Sequence, residues 1–300
     1  MTATTNTSAS VIKDRTFIFF RPGSAGWQLS RDPVAIVSFL IIATVLFLIV
    51  FAPFLTDYAA QGLGEPNPAD KFQAPSTIHI FGNDELGRDI WARILFGGRT
   101  SLSVAMAAVS LSVLIGVPLG VAAGYFGGWV DEIIMRITDI FLAFPALLLA
   151  IFLTALTGAG LFNMALAISL GWWTWYARLA RAQTLSIRHR PFVEAAHVIG
   201  VRDHTIIRRH ILPYILGPVL IQATLDLGSA VLTVSALSFL GLGVTPPTPD
   251  WGQMVSAGRI FFPDRWWCSA FPAVMIFMVT VAFNFLGDSV RSAYTPKGRS

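Results

Sequence analysis

Two groups of residues in this 300-residue chain could carry chemistry. One is Asp226, the single acid well inside a long apolar run, where an ionisable group either holds a polar partner or touches a solute. The other is the stretch 190–213, RPFVEAAHVIGVRDHTIIRRHILP, which is patterned too regularly for a floppy connector. Pro191 suits the first position of a helix, and Glu194 falls in its first turn, where the helix dipole favours an anion. Gly200 breaks that helix and Asp203 can cap a second one. Ile206, Ile207 and Ile211 give the second helix an apolar face before Pro213 ends it. Two short helices joined at a glycine make a compact knob, which a partner can push on.

Other chemistry is missing from the sequence. Phosphate binding for ATP hydrolysis needs a glycine-rich loop with Lys followed by Ser or Thr. Here Lys297 is followed by Gly298, and neither Lys13 nor Lys71 sits in such a loop. There is no nucleophile elbow and no zinc helix motif, so no catalytic, cofactor-binding or metal-ligating residue is assigned. His189, His197, His204 and His210 share one loop, where solvated or capping roles fit better than a metal site. The lone Cys268 allows no internal disulfide.

The elements that must position these residues are membrane spans. The chain is 54% hydrophobic and 13% charged, against about 25% charged in soluble proteins. Residues 33–56, 100–123, 140–157, 160–177, 213–236 and 266–287 read as six apolar crossings, each near the roughly 20 residues that a bilayer needs. The third and fourth come from one uncharged run, 140–177, which the turn Thr157-Gly158-Ala159-Gly160 divides. Gly116, Gly120 and Gly124 in the second would let another helix approach closely.

With six crossings both termini share a side, and the arrangement that puts 15 of the 21 Lys and Arg inside places both in the cytoplasm. That rule also accounts for the net charge of +4 without nucleic acid. Trp172, Trp173, Trp175 and Tyr176, just before Arg178, read as an interfacial aromatic belt or as packing residues. The expected domains are a cytoplasmic tail 1–32, whose first ten residues read as disordered, a first span 33–56, and an outside loop 57–99. In that loop Leu86, Ile90, Ile94 and Leu95 predict a separate helix over 85–96, lying along the outer interface. A five-helix transmembrane domain follows over 100–290, with the knob loop 181–213, and then a tail 291–300.

The knob resembles the cytoplasmic loop of the permease subunits of ABC importers. The pattern there is Glu-Ala-Ala, three residues, Gly, nine residues, then an apolar segment ending in Leu-Pro, and Glu194, Ala195, Ala196, Gly200, Leu212 and Pro213 match it. Many members carry Ile where this chain has His210 and Asn where it has Tyr214, and the His form is similar to the dipeptide and oligopeptide branch. Residues 81–102, FGNDELGRDIWARILFGGRTSL, together with 241–252, GLGVTPPTPDWG, and 282–291, resemble the second permease of that branch.

The resemblance implies an all-α membrane protein with the six-helix fold of type I ABC importer permeases, multi-pass in a bacterial inner membrane. It implies as partners membrane lipid, a similar but non-identical permease, two ABC ATPase subunits that carry the ATP and Mg, and an extracytoplasmic solute-binding protein. The implied activity is import of short peptides by alternating access, with the knob docked on an ATPase. Nickel chelates, glutathione and opine-type solutes are alternative cargoes. A secondary carrier driven by protons or sodium is the alternative of another class, and would need several buried ionisable groups where this chain has one.

Overall fold

A computed structural model describes residues 25–57 and 66–294, so the first residues of the expected N-terminal tail, part of the loop after residue 57 and the end of the C-terminal tail lie outside the described residues. What is described is helices joined by loops, with one isolated bridge between Asn83 and Asp89. A short helix α1 (Ala25–Leu29) leads into α2 (Pro33–Val50), which Asp32 caps by accepting the Val34 N–H at 3.0 Å, with Pro33 in the first turn. On α2 the stripe Ala35, Ser38, Ile42, Val45 and Ile49 is buried, while Val37, Phe39, Leu40 and Phe47 are exposed. A helix apolar on every face, with only one stripe buried in protein, leaves the rest for lipid.

After the short α3 (Ala52–Leu55) and the loop come α4 (Ile90–Phe126), α5 (Gly128–Leu142), α6 (Ala146–Thr157) and α7 (Leu161–Arg188). The remaining helices are α8 (Pro191–Val198), α9 (Asp203–Ile206), α10 (Leu212–Phe239), α11 (Trp251–Gly258) and α12 (Trp267–Tyr294). Among the described residues, four helical segments are long and apolar enough to cross a membrane: α2, α4, the run Asp203–Phe239 and α12. Helices α5 and α6 qualify together as a fifth, bent by 84°. The bend falls before Pro145, whose ring pushes the preceding residue out of helical geometry, so the expected span 140–157 is broken, with 140–142 at the end of α5 and 146–157 in α6.

Two further boundaries differ from expectation. The separate interfacial helix over 85–96 does not form: Asp89 caps α4 by accepting the Ala92 N–H at 2.8 Å, and Ile90, Ile94 and Leu95 are buried in protein. Their stripe faces α11 and α12 instead of a lipid interface. Nor does Pro213 end a helix. A π turn, Ile207–Ile211, in which Leu212 N–H reaches back to the Ile207 carbonyl, absorbs the missing proline N–H, and the run continues into α10.

Helix α4 packs along α7 at backbone contact. A Cβ on Gly116 would lie 2.3 Å from the Trp173 carbonyl oxygen, one on Gly120 2.1 Å from that of Ala177, and one on Gly124 2.9 Å from that of Arg181. Glycine every fourth residue thus makes the groove that seats α7. Helices α10 and α2 pack on α12, and one continuous apolar core runs from Val45 through Tyr176 and Ile215 to Val279. A smaller cluster of Ile90, Ile94, Met254, Trp267 and Cys268 closes one end of the bundle. That end, built from 66–102 and 240–268, is called the cap; the end carrying α8 and α9 is the knob. The 37 residues of α4 join them, about 55 Å at 1.5 Å per residue.

Candidate functional site

In the knob, α8 starts at Pro191 and stops at Gly200, whose φ of +77° suits a residue without a Cβ. Gly200 N–H bonds the His197 carbonyl at 3.0 Å and Val201 N–H bonds the Ala196 carbonyl at 3.0 Å, the paired closure of a Schellman turn. Val193, Ala196, Ile206 and Ile211 point inward and are buried in the main core, with Leu212 packed beside them. Glu194, Ala195 and Gly200 are exposed, Val198 and Ile199 are 87% and 77% exposed, and nothing lies within 4 Å of a Cβ built on Gly200. The sequence motif therefore divides into an inward set that anchors the knob and an outward set that is free to meet another surface. Pro213 is exposed in the first turn of α10.

The knob is tied back to the bundle at the end of α4. Tyr125 Oη donates to Asp203 Oδ1 at 2.7 Å and lies 3.1 Å from His197 Nε2, with the Tyr125 and His197 rings stacked at 5.9 Å. One hydroxyl thus touches both knob helices. Arg190 Nη2 donates to Tyr214 Oη at 3.1 Å, and His210 rests against Phe192 at 6.0 Å between ring centres. The four loop histidines have different neighbours, and no group of three or more His, Cys, Asp or Glu suited to a metal occurs among the described residues.

Asp226 lies within α10, half-buried, where Tyr176 Oη donates to its Oδ2 at 2.6 Å and Gln222 Nε2 to its Oδ1 at 2.9 Å. It borders a cavity of about 630 Å³ lined by Trp172, Trp175, Arg178, Leu179, Gln222 and Ser229. The expected aromatic belt divides accordingly: Trp173 and Tyr176 are buried packing residues, whereas Trp175 is 60% exposed.

The cap holds polar groups that motif reading left unassigned. Asp250 is fully buried; its Oδ2 accepts the Ser101 hydroxyl at 2.9 Å and its Oδ1 caps α11 through Gln253 N–H at 3.2 Å. Burial pushes its carboxyl above the ordinary range, against the pull of these hydrogen bonds. Trp251, also fully buried, donates from Nε1 to the Ile94 carbonyl at 2.9 Å. Asp84 accepts the N–H groups of Leu86 and Arg88, each at 2.9 Å, and Arg88 Nε at 2.7 Å. Residues 81–102 and 241–252, which sequence alone treats as separate stretches, are one interlocked body.

The sequence family described as "Binding-protein-dependent transport system inner membrane component" matches residues 116–299, and "N-terminal TM domain of oligopeptide transport permease C" matches 23–75. The chain is 42% identical over 273 residues to a dipeptide transport system permease protein, DppC, of Alkalihalophilus pseudofirmus, covering 91% of this chain and 89% of that one. It is 40% identical to a probable D,D-dipeptide transport system permease protein, DdpC, of Escherichia coli, covering 90% of each. A glutathione transport system permease protein, GsiD, of Pectobacterium atrosepticum is 38% identical, over 90% of this chain and 89% of that one. Among solved structures, a chain of the MetNI methionine ABC transporter in an inward-facing conformation superposes with a TM-score of 0.56 at 19% identity, over 69% of this chain and 98% of that one. That likeness speaks for the fold.

Proposed function

This chain belongs to the family of binding-protein-dependent transport system inner membrane components, and from that premise we propose that it forms half of the path by which an ABC importer takes up short peptides. Permeases of this family work with ATPase and solute-binding partners. Peptide cargo is supported by the dipeptide names of the DppC and DdpC relatives. Glutathione, a peptide-like solute, is the second reading, supported by the GsiD relatives.

The observation that carries the mechanism is the knob. Glu194, Ala195, Val198, Ile199 and Gly200 form an outward face on α8 and its C-terminal turn, while the inward residues of α8 and α9 are fixed in the core. Such a body suits a groove on an ATPase. When ATP draws the two ATPases together, the knob turns, and Tyr125 and the buried isoleucines carry that turn into α4 and α10. ATP and Mg belong to the ATPases, because this chain has no phosphate-binding loop.

The reading keeps six spans, with the bent α5–α6 pair and α7 as the third and fourth, and both termini in the cytoplasm by the distribution of Lys and Arg. It keeps the domain division at 33–56, 57–99 and 100–290, with the loop helix now part of α4. The second half of the path is a different permease, because six helices cannot line a peptide-sized route alone. Reconstitution in liposomes tests this: with ATP inside and a labelled dipeptide outside, uptake is expected only when this chain, a second permease, both ATPases and the binding protein are all present. ATP-driven uptake without a second permease would overturn the pairing.

A further inference from the structure

We propose that the cavity between α7 and α10 is a binding subsite for the ammonium group of the transported peptide, with Asp226 as its anionic contact and Trp172 and Trp175 as its walls. This rests on the peptide reading of the cargo and adds to it the place in the permease where one end of the peptide is recognised.

The argument begins with spacing. Trp172, Trp175 and Leu179 recur at intervals of three and four on α7, and Gln222, Asp226 and Ser229 at four and three on α10, so each set forms one stripe. The two stripes face each other across about 630 Å³, within the range of small-molecule pockets. Facing helices in this core elsewhere close to contact, as the glycines of α4 do on α7; here they stand apart around polar and aromatic groups.

The chemistry of the lining then selects a cation. A carboxylate offers about four lone-pair positions, and the side chains of Tyr176 and Gln222 occupy two of those on Asp226. Both donors are neutral. Among the described residues no Arg, Lys or His pairs with Asp226, and Arg178, which also lines the cavity, has its charge paired with Asp139 at 2.6 Å. An acid held by neutral donors beside a space lined by indoles offers an ammonium group both a hydrogen-bonding anion and aromatic faces. Tyr176 and Gln222 fix the carboxyl in position, so little order is lost when a ligand arrives. An anionic or purely apolar solute would leave Asp226 uncompensated.

The test uses the complex of this chain with its second permease and the two ATPases, in nanodiscs and without the binding protein, whose own selectivity would mask the site. The probe is alanyl-photoleucine, compared with its N-acetylated form, in which a neutral amide replaces the ammonium group. After irradiation, labelled peptides are mapped by mass spectrometry. Labelling is expected in 172–179 and 222–229, falling about tenfold or more with the acetylated probe and in Asp226→Asn, a difference worth about 1.4 kcal/mol. Asp226→Glu should keep most of it. Equal labelling by both probes on the unaltered complex would overturn the proposal whatever the variants do, and so would labelling elsewhere only. Uptake of dialanine by the full system separates the two readings. If the dipeptide is taken up but this cavity is not labelled, the subsite alone fails. If no dipeptide is taken up, the peptide reading fails and the subsite falls with it.

Discussion

The cap and the knob lie at the two ends of one helix, α4, and they are held in opposite ways. At the cap, several polar side chains are buried and hydrogen-bonded, Asp250 with Ser101, Trp251 with the Ile94 carbonyl and Asp84 with Arg88, while Asn83 Oδ1 and Gln253 Oε1 are buried without a partner among the described residues. At the knob the polar contacts lie at the surface, and the Tyr125–Asp203 and Tyr125–His197 pairs are open to water. Buried hydrogen bonds are expensive to break, because each freed group would be left without solvent, whereas exposed ones exchange for water at small net cost. The cap is therefore built to move as one piece, and the knob to change its attachment. A transporter driven from one end needs this contrast, since a push on the knob is useful only if the other end of the helix does not yield.

The contrast can be broken from either end. The largest effect is expected for Trp251→Ala, which empties a fully buried site and frees the Ile94 carbonyl. A loss of about 3–5 kcal/mol would show as low membrane yield and a lower unfolding temperature in detergent. A variant as stable as the parent would mean the cap is not a lock.

Next comes Gly200→Pro, which cannot adopt a φ of +77° and removes the N–H that closes the Schellman turn. Because the site is exposed and spacious, membrane level should hold while ATP-driven uptake is lost. Normal uptake at normal expression would separate the knob from coupling. The smallest effect is expected for Tyr125→Phe, which deletes one exposed hydroxyl shared by Asp203 and His197. Uptake should fall roughly two- to fivefold, matching about 0.5–1 kcal/mol, with unfolding temperature unchanged. A shift in stability without a change in uptake would make the contact structural only.

Much of this was readable along the chain because it depends on neighbours in sequence. Apolar length marked the long helices, and the two knob helices with their glycine joint followed from Pro191, Glu194, Gly200 and Asp203. Glycine every fourth residue announced a close helix contact on α4. Where local signals competed, one of them lost. Pro213 marks a stop by local rules, but a π turn absorbs it; the apolar stripe at Ile90, Ile94 and Leu95 is interfacial by local rules, but other helices cover it.

What no local rule contains is the choice of partner. Tyr176 and Asp226 stand 50 residues apart, and Ser101 and Asp250 stand 149 apart. Neither pair has a spacing that could announce it. The sequence by itself determined that the chain lives in lipid, that helices break at Gly158–Gly160 and at Gly200, and which residues form the knob, since periodicity, caps and backbone sterics act over a few residues. The tertiary structure alone decided which acid meets which hydroxyl, which glycine groove seats which helix and where a cavity is left, because those depend on how whole helices pack, and packing is settled by every contact at once.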